Sequence, residues 1–240
     1  MKFKIQTAFT IFFVLVFASC QQTSNNHETS VNLSQKGIDI WTLAIEKMNK
    51  SDQKYRNVLS LGTLNDSLLR VDKELRKTAS LEEYFVFMNS VTKTITKEEN
   101  DSIWKLQHKI DYENYLEIKS LTQKYGYPSQ ERLGKDLDIF PILVHPPLEI
   151  EPQKYLEEVV SIFKPEVMEK RMNPKTYAML YDNIKGKILK DPQLYGTNGI
   201  FNSKTMKVGN PLIESIEATN IARKEIGLPE LKEGEYELTE

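Results

Sequence analysis

The side chains best suited to chemistry in this 240-residue chain are few: His145, Asp182, Arg223 and the alternating set Gln193, Tyr195 and Thr197. His145 follows the apolar segment Ile139 to Val144 and precedes Pro146-Pro147, so it ends an element where a neutral imidazole could act as base or ligand. The structural alternative is a histidine at a helix C-terminus, where the helix dipole favours it. Arg223 falls on one helical face with Asn220, Thr219 and Ile216, a face that the pattern extends back to Leu212. A guanidinium on a core-facing stripe needs a carboxylate or an anionic ligand. Asp182, one residue past the apolar Tyr177, Leu180 and Tyr181 face, is the expected partner. The pair reads either as a structural lock on the terminal helix or as a functional pair.

Gln193, Tyr195 and Thr197 lie in DPQLYGTNGI, Asp191 to Ile200. On a strand they project from one face. Set beside His145 and Arg223, that row would wall a small cleft for a polar or anionic ligand; the alternative is a purely structural clasp. An enzyme built from these parts is a hydrolase or transferase, with His145 as general base, Asp182 orienting it or Arg223, and Gln193 with Tyr195 holding substrate. No activated nucleophile is evident, so water would have to serve.

Other chemistries are excluded or weak. H-E-x-x-H, G-x-S-x-G, Walker, Rossmann and EF-hand patterns are all absent. Three histidines, one of them His27 near the N-terminus, do not make a multi-histidine metal site, and His108 reads as a mid-helix surface residue. Cys20 is the only cysteine, which removes disulfides, thiolate nucleophiles and cysteine-ligated zinc. Asp136, Asp138 and Glu149 are close in sequence and read as a solvated acidic face. No metal and no cofactor is expected.

Helices must position these groups. Ile38, Trp41, Ile45 and Met48 recur at helical spacing, as do Leu64 to Leu75 and Leu81 to Ile95. Capping boxes stand at T-L-N-D (Thr63 to Asp66), S-L-E-E (Ser80 to Glu83) and T-K-E-E (Thr96 to Glu99). Asp111 predicts the N-cap of a helix that Gly126 ends, and Leu156 to Phe163 predict one stopped before Pro165. Asn173-Pro174 and Asn210-Pro211 predict two further helix starts, the last helix ending at Gly227. The interval 186–209 breaks this rhythm with four of the ten glycines, and Asn198-Gly199 predicts a two-residue hairpin turn between Leu194-Tyr195 and Ile200-Phe201. The expected fold is mostly α, an amphipathic helical domain over 33–240 with a short β-ribbon near 186–209. If it has two parts, the expected junction is near Ala79.

The N-terminus carries Lys2 and Lys4 ahead of an apolar run from Ala8 to Ala18, a secretory signal layout too short for a confident membrane span. F-A-S-C, ending at Cys20, resembles the lipobox of bacterial lipoproteins, with Phe17 where Leu is usual. The resemblance implies cleavage after residue 19, lipid on Cys20, and an exported protein held to a membrane of the bacterial cell envelope, leaning to the outer membrane. Residues 20–32 are polar and suit a flexible tether. Loss of the leader's two lysines takes the formal net charge from −2 to about −4, with no basic stripe, so nucleic acid is not an expected partner.

From about 99 to 236 the order of short motifs resembles a family of bacterial domains of unknown function. YGYP at Tyr125 to Pro128, Gly134, Val144-His145, YAMLYDN at Tyr177 to Asn183, QLYGTN at Gln193 to Asn198, ARKEIGLPEL at Ala222 to Leu231 and Glu235-Tyr236 carry the resemblance. Val144, Asn183 and Asn198 stand where that family has Gln, Arg and Gln. The resemblance implies a helical fold and candidate positions but no reaction. The functional expectation is a non-catalytic binding or structural module whose partner is an envelope protein or a small polar ligand, with the hydrolase or transferase as the alternative. The first predicts an exposed apolar patch on a helix face; the second predicts His145 in one pocket with Asp182.

Overall fold

The computed structural model describes residues 32–56, 66–90, 96–145, 147–202 and 207–239. Cys20, the leader, the tether up to residue 31 and the Thr63 end of the T-L-N-D box lie outside the described residues. The fold is mostly α-helical, and among the described residues no helix is long and apolar enough to cross a membrane.

The chain divides into two compact units. In the smaller, which includes 53–107, α2 (Asp66–Thr78) and α3 (Leu81–Ser90) form a helical pair that meets at a buried polar contact. Tyr84 donates to Asp72 at 2.8 Å, and Arg76 grips the same carboxylate from one turn away. Ser80 and Glu83 form the predicted capping box: the Glu83 carboxylate accepts from the Ser80 amide, and the Ser80 hydroxyl accepts from the Glu83 amide. Ala79 falls between these two helices. A two-stranded antiparallel ribbon, β1 (Phe201–Asn202) with β2 (Lys207–Val208), also belongs here.

The larger unit takes in 32–52, most of 108–200 and 209–239. Its core is built from α1 (Gln35–Asp52), the second half of α4 (Lys97–Tyr125), α7 (Pro152–Met168) and α8 (Pro174–Asn183). Trp41, Ile45 and Met48 of α1, Tyr115 and Ile118 of α4, Tyr155, Val159 and Phe163 of α7, and Tyr177 and Leu180 of α8 are buried. Tyr115 and Tyr155 pack edge to face at 5.1 Å between ring centres. Two single-turn helices, α5 (Gln130–Leu133) and α6 (Phe140–Leu143), connect α4 to α7.

Several expected boundaries are corrected. Asp111 caps nothing: α4 runs unbroken from Lys97, because Asp111, Asn114, Tyr115 and Ile118 continue one buried face through that point. α7 continues through Pro165, with Ile162, Phe163, Glu166 and Val167 buried on both sides of it, so tertiary burial outweighs the roughly 3 kcal/mol an internal proline costs. After α8 the chain widens into a π-helix, Ile184–Leu189, that hydrophobic periodicity does not foretell. Asn210-Pro211 starts no helix; it leads into β3 (Leu212–Ile213), which pairs in parallel with β4 (Glu237–Leu238). Leu212 therefore lies on a strand, and the last helix, α9 (Ile216–Glu225), begins at Ser215, whose hydroxyl accepts from the Ala218 amide. Gly227 ends it with φ +81° as expected.

Candidate functional site

The residues singled out by type and spacing separate into two places. Asp182, at the end of α8, is 1% exposed and accepts four hydrogen bonds, from the Leu194, Tyr195 and Thr197 amides and from the Thr197 hydroxyl, at 2.8 to 3.0 Å. Burial pushes its carboxyl up to about 6, against the pull of those four donors. Arg223 of α9 is also buried, and it donates to the carbonyls of Tyr195 and Pro229, at 2.6 Å each. The expected ion pair is thus not made. Carboxylate and guanidinium instead hold the two ends of the same residue, Asp182 taking the Tyr195 amide and Arg223 its carbonyl. The reason is local: an irregular loop leaves backbone groups that must be satisfied inside, and two buried charged side chains do so better than water can.

The rest of the loop follows the same rule. Gln193 is buried; its amide accepts from the Asn198 amide and donates to the Asn198 carbonyl, while its backbone N–H meets Leu212. The Asn198 side chain donates to Met179 of α8. Those bonds hold Asn198-Gly199 against helix and loop, so this dipeptide is not the hairpin turn; the ribbon forms further on, at β1 and β2. Gln193, Tyr195 and Thr197 accordingly line no strand face. Tyr195 turns inward against Tyr177 and Tyr181, with ring centres 5.9 and 5.3 Å away. Gly196, at φ +60°, lets the loop close on the protein: a Cβ there would stand 2.7 Å from the Leu231 side chain.

His145 lies elsewhere. Its Nδ1 is 2.8 Å from Asp52 at the end of α1, so it belongs to the contact between α1 and the segment after α6, and not to the Asp182 loop. It stands directly after its own short helix, α6, whose C-cap is Val144, and its ring meets the Asp52 carboxylate of α1. His108 is partly buried, with Nδ1 3.9 Å from Asp111. Among the described residues no group of three or more His, Cys, Asp or Glu is arranged to hold a metal.

A different place in the larger unit is open. A cleft of about 590 Å³ lies where the start of the described chain, the end of α4 and the second half of α7 meet. Gly126 closes α4 with φ +77° and its amide on the Thr122 carbonyl. Two arginines converge on it, since a Cβ at Gly126 would stand 2.8 Å from Arg171 Nε and 2.9 Å from Arg132 Nη1. Arg132, 5% exposed, donates to the carbonyls of Tyr125 and Tyr127 and so wraps the glycine turn. Burial, then the neighbouring Arg171, lowers its pKa.

Arg171 is fixed by Glu166, which accepts from Nε and Nη2 at 2.6 Å each and from the Tyr127 amide at 2.7 Å. Those bonds to Glu166 raise the Arg171 pKa. Its remaining nitrogen, Nη1, pairs with Glu169, a side chain 57% exposed. The turn that brings Arg171 back over Glu166 passes through Lys170 at φ +58°. Thr122, on the cleft wall, is 2% exposed, and its hydroxyl has no hydrogen-bond partner among the described residues. Lys124 lines the same cleft, 5.1 Å from the Tyr125 ring centre, and pairs with no carboxylate among the described residues.

Sequence reasoning marks Gly126 as a helix cap and as part of the YGYP motif, and passes over Arg132, Arg171, Glu166 and Thr122. One signal was available. Only six of the 32 basic residues are arginine, and four of those, Arg76, Arg132, Arg171 and Arg223, make the described contacts to backbone carbonyls or carboxylates that a planar guanidinium suits. In a lysine-rich chain, arginine marks places where forked hydrogen bonding is needed. No family model matches the chain, and neither a curated protein nor a solved structure does.

Proposed function

We propose that this chain is a lipid-anchored protein of the bacterial cell envelope, tethered through Cys20, whose larger helical unit binds a small polar ligand without transforming it. The observation that carries the non-catalytic part is the dispersal and occupation of the acid–base groups: every Asp182 oxygen accepts from the Asp191 to Ile200 loop, Arg223 donates to backbone carbonyls, and His145 lies apart from both, beside Asp52. A general base must reach its proton directly or through one water, and groups so engaged support a scaffold. The cleft at Gly126 supports the binding part, because it is of small-molecule size and keeps polar groups on its wall. The leader, with its lipobox-like F-A-S-C, and the motif order from about 99 to 236 support the anchored bacterial class.

Exposed apolar side chains such as Leu43, Leu148 and Ile221 fall on separate elements, which suits a small-ligand module better than a broad protein-docking face. The test of the anchor is metabolic labelling with an alkyne fatty acid followed by membrane fractionation of wild type and Cys20→Ser. Wild type is expected in the membrane fraction with label, and the variant in neither. An unlabelled wild type in the soluble fraction sinks the anchored reading.

A further inference from the structure

We infer that the cleft at Gly126 takes a small oxyanion, a carboxylate or phosphate group, held by Arg171, Lys124 and the Thr122 hydroxyl; this deepens the binding reading above and rests on it. Four observations point the same way. First, Lys124, Arg132 and Arg171 line the cleft with positive charge, against Glu166 alone among the described lining residues. Second, Glu166 is already neutralised by the fork of Arg171 and by the Tyr127 amide, so it fixes the guanidinium plane and does not repel a guest strongly. A guanidinium held before binding loses little freedom on binding.

Third, the two partners of Arg171 differ. Glu166 is buried and holds two nitrogens, whereas Glu169 is more than half exposed and holds only Nη1. An ion pair to so exposed a carboxylate contributes little. An incoming oxyanion therefore replaces the Glu169 carboxylate at Nη1 at small cost. Fourth, a buried hydroxyl without a partner is uncommon and destabilising. Thr122 is such a group, and it stands on the wall of this cleft. An oxyanion that accepts from Thr122 while pairing with Arg171 and Lys124 answers both features. A neutral ligand of the same size answers only the hydroxyl.

The test is an NMR titration of the full chain in detergent, following the amides of Thr122 and Gly126 with three probes: inorganic phosphate, succinate and, as a neutral control, glucose. Phosphate or succinate is expected to give saturable shifts there, and glucose none. Thr122→Val removes an unbonded hydroxyl without changing shape, so it should fold with an unchanged or higher melting temperature yet bind the anion about tenfold more weakly. Lys124→Gln, at an exposed position, should weaken binding to a smaller degree and reduce its salt dependence. Saturable shifts with glucose and with neither anion would overturn the oxyanion while leaving a binding module standing. Silence with all three probes overturns both readings. Anion shifts that Thr122→Val and Lys124→Gln leave untouched would mean binding elsewhere, and the assignment to this cleft falls.

Discussion

The clasp formed by Asp182, Arg223 and the Asp191 to Ile200 loop, and the cleft formed by Arg132, Glu166 and Arg171, are built from the same parts. Each sets buried guanidinium and carboxylate groups around a glycine with positive φ, Gly196 in one and Gly126 in the other. They differ in what is left over. At the clasp each carboxylate oxygen accepts two donors, and the space over Gly196 is filled by Leu231. At the cleft a hydroxyl stays unbonded, one arginine nitrogen rests on an exposed carboxylate, and there is room for a guest. Buried charge by itself therefore does not distinguish a site from a staple; remaining hydrogen-bonding capacity beside open volume does.

The largest effect that would break this comparison is at Asp182. Asp182→Ala leaves three amides and a hydroxyl buried without their acceptor, and a loss of about 3 to 5 kcal/mol in urea unfolding is expected. A loss below about 1 kcal/mol would show that the loop does not depend on that carboxylate. Arg223→Ala should follow at about 2 to 3 kcal/mol, since two carbonyls lose charge-assisted partners. If Arg223→Ala were neutral or stabilising, the residue would have to be reassigned to function.

Glycines sharpen the contrast next. Gly126→Ala meets a left-handed backbone and the two arginines together, whereas Gly134→Ala, at φ +62° with nothing within 4 Å of its new Cβ, meets only the backbone term. The second should cost roughly 1 to 2 kcal/mol and the first distinctly more, compared by thermal unfolding. Equal losses would mean the arginines move aside freely, and the cleft would not be preformed.

Titration gives a smaller and more local signal. The folded Asp182 carboxyl, raised to about 6 by burial, binds its proton more tightly than the unfolded one. Its contribution to stability is therefore present below the ordinary carboxylate range and is lost as pH rises through about 6. The carboxyl carbon of Asp182, followed by NMR, should titrate with a midpoint near 6; a midpoint below the usual carboxylate range would show that the four donors outweigh burial.

Thr122→Val should have the smallest effect on the unliganded protein, within about 0.5 kcal/mol or slightly stabilising, because no bond is broken. A clear loss would reveal a partner for the hydroxyl.

Much of the helical frame was legible from local rules. The stripe Trp41, Ile45 and Met48, the boxes at Ser80 and Thr96, the Asn173-Pro174 start and the Gly126 and Gly227 ends each depend on residues within a turn or two, and each stands as expected. Asp182, Gln193, Tyr195, Thr197 and Arg223 were rightly placed in one neighbourhood, but on the wrong terms: a strand face and an ion pair were expected where a satisfied loop is found. The errors at Asp111, Pro165 and Asn198-Gly199 share a cause. In each, a local stop or turn signal of a few kcal/mol at most was outweighed by burial of side chains on both sides of it, or by bonds to a helix distant in sequence.

What the sequence determined by itself was thus the mostly helical class and the main caps and periodic faces, because these follow from side-chain period and backbone preference. What only the tertiary structure decided was which polar groups end up with partners. Arg132, Glu166, Arg171 and Thr122 come from three segments whose approach is set by packing of the core, and an unsatisfied hydroxyl or a shared carboxylate has no local signature. Hydrogen-bond satisfaction is a property of the assembled neighbourhood, so the cleft became visible only when those segments were brought together.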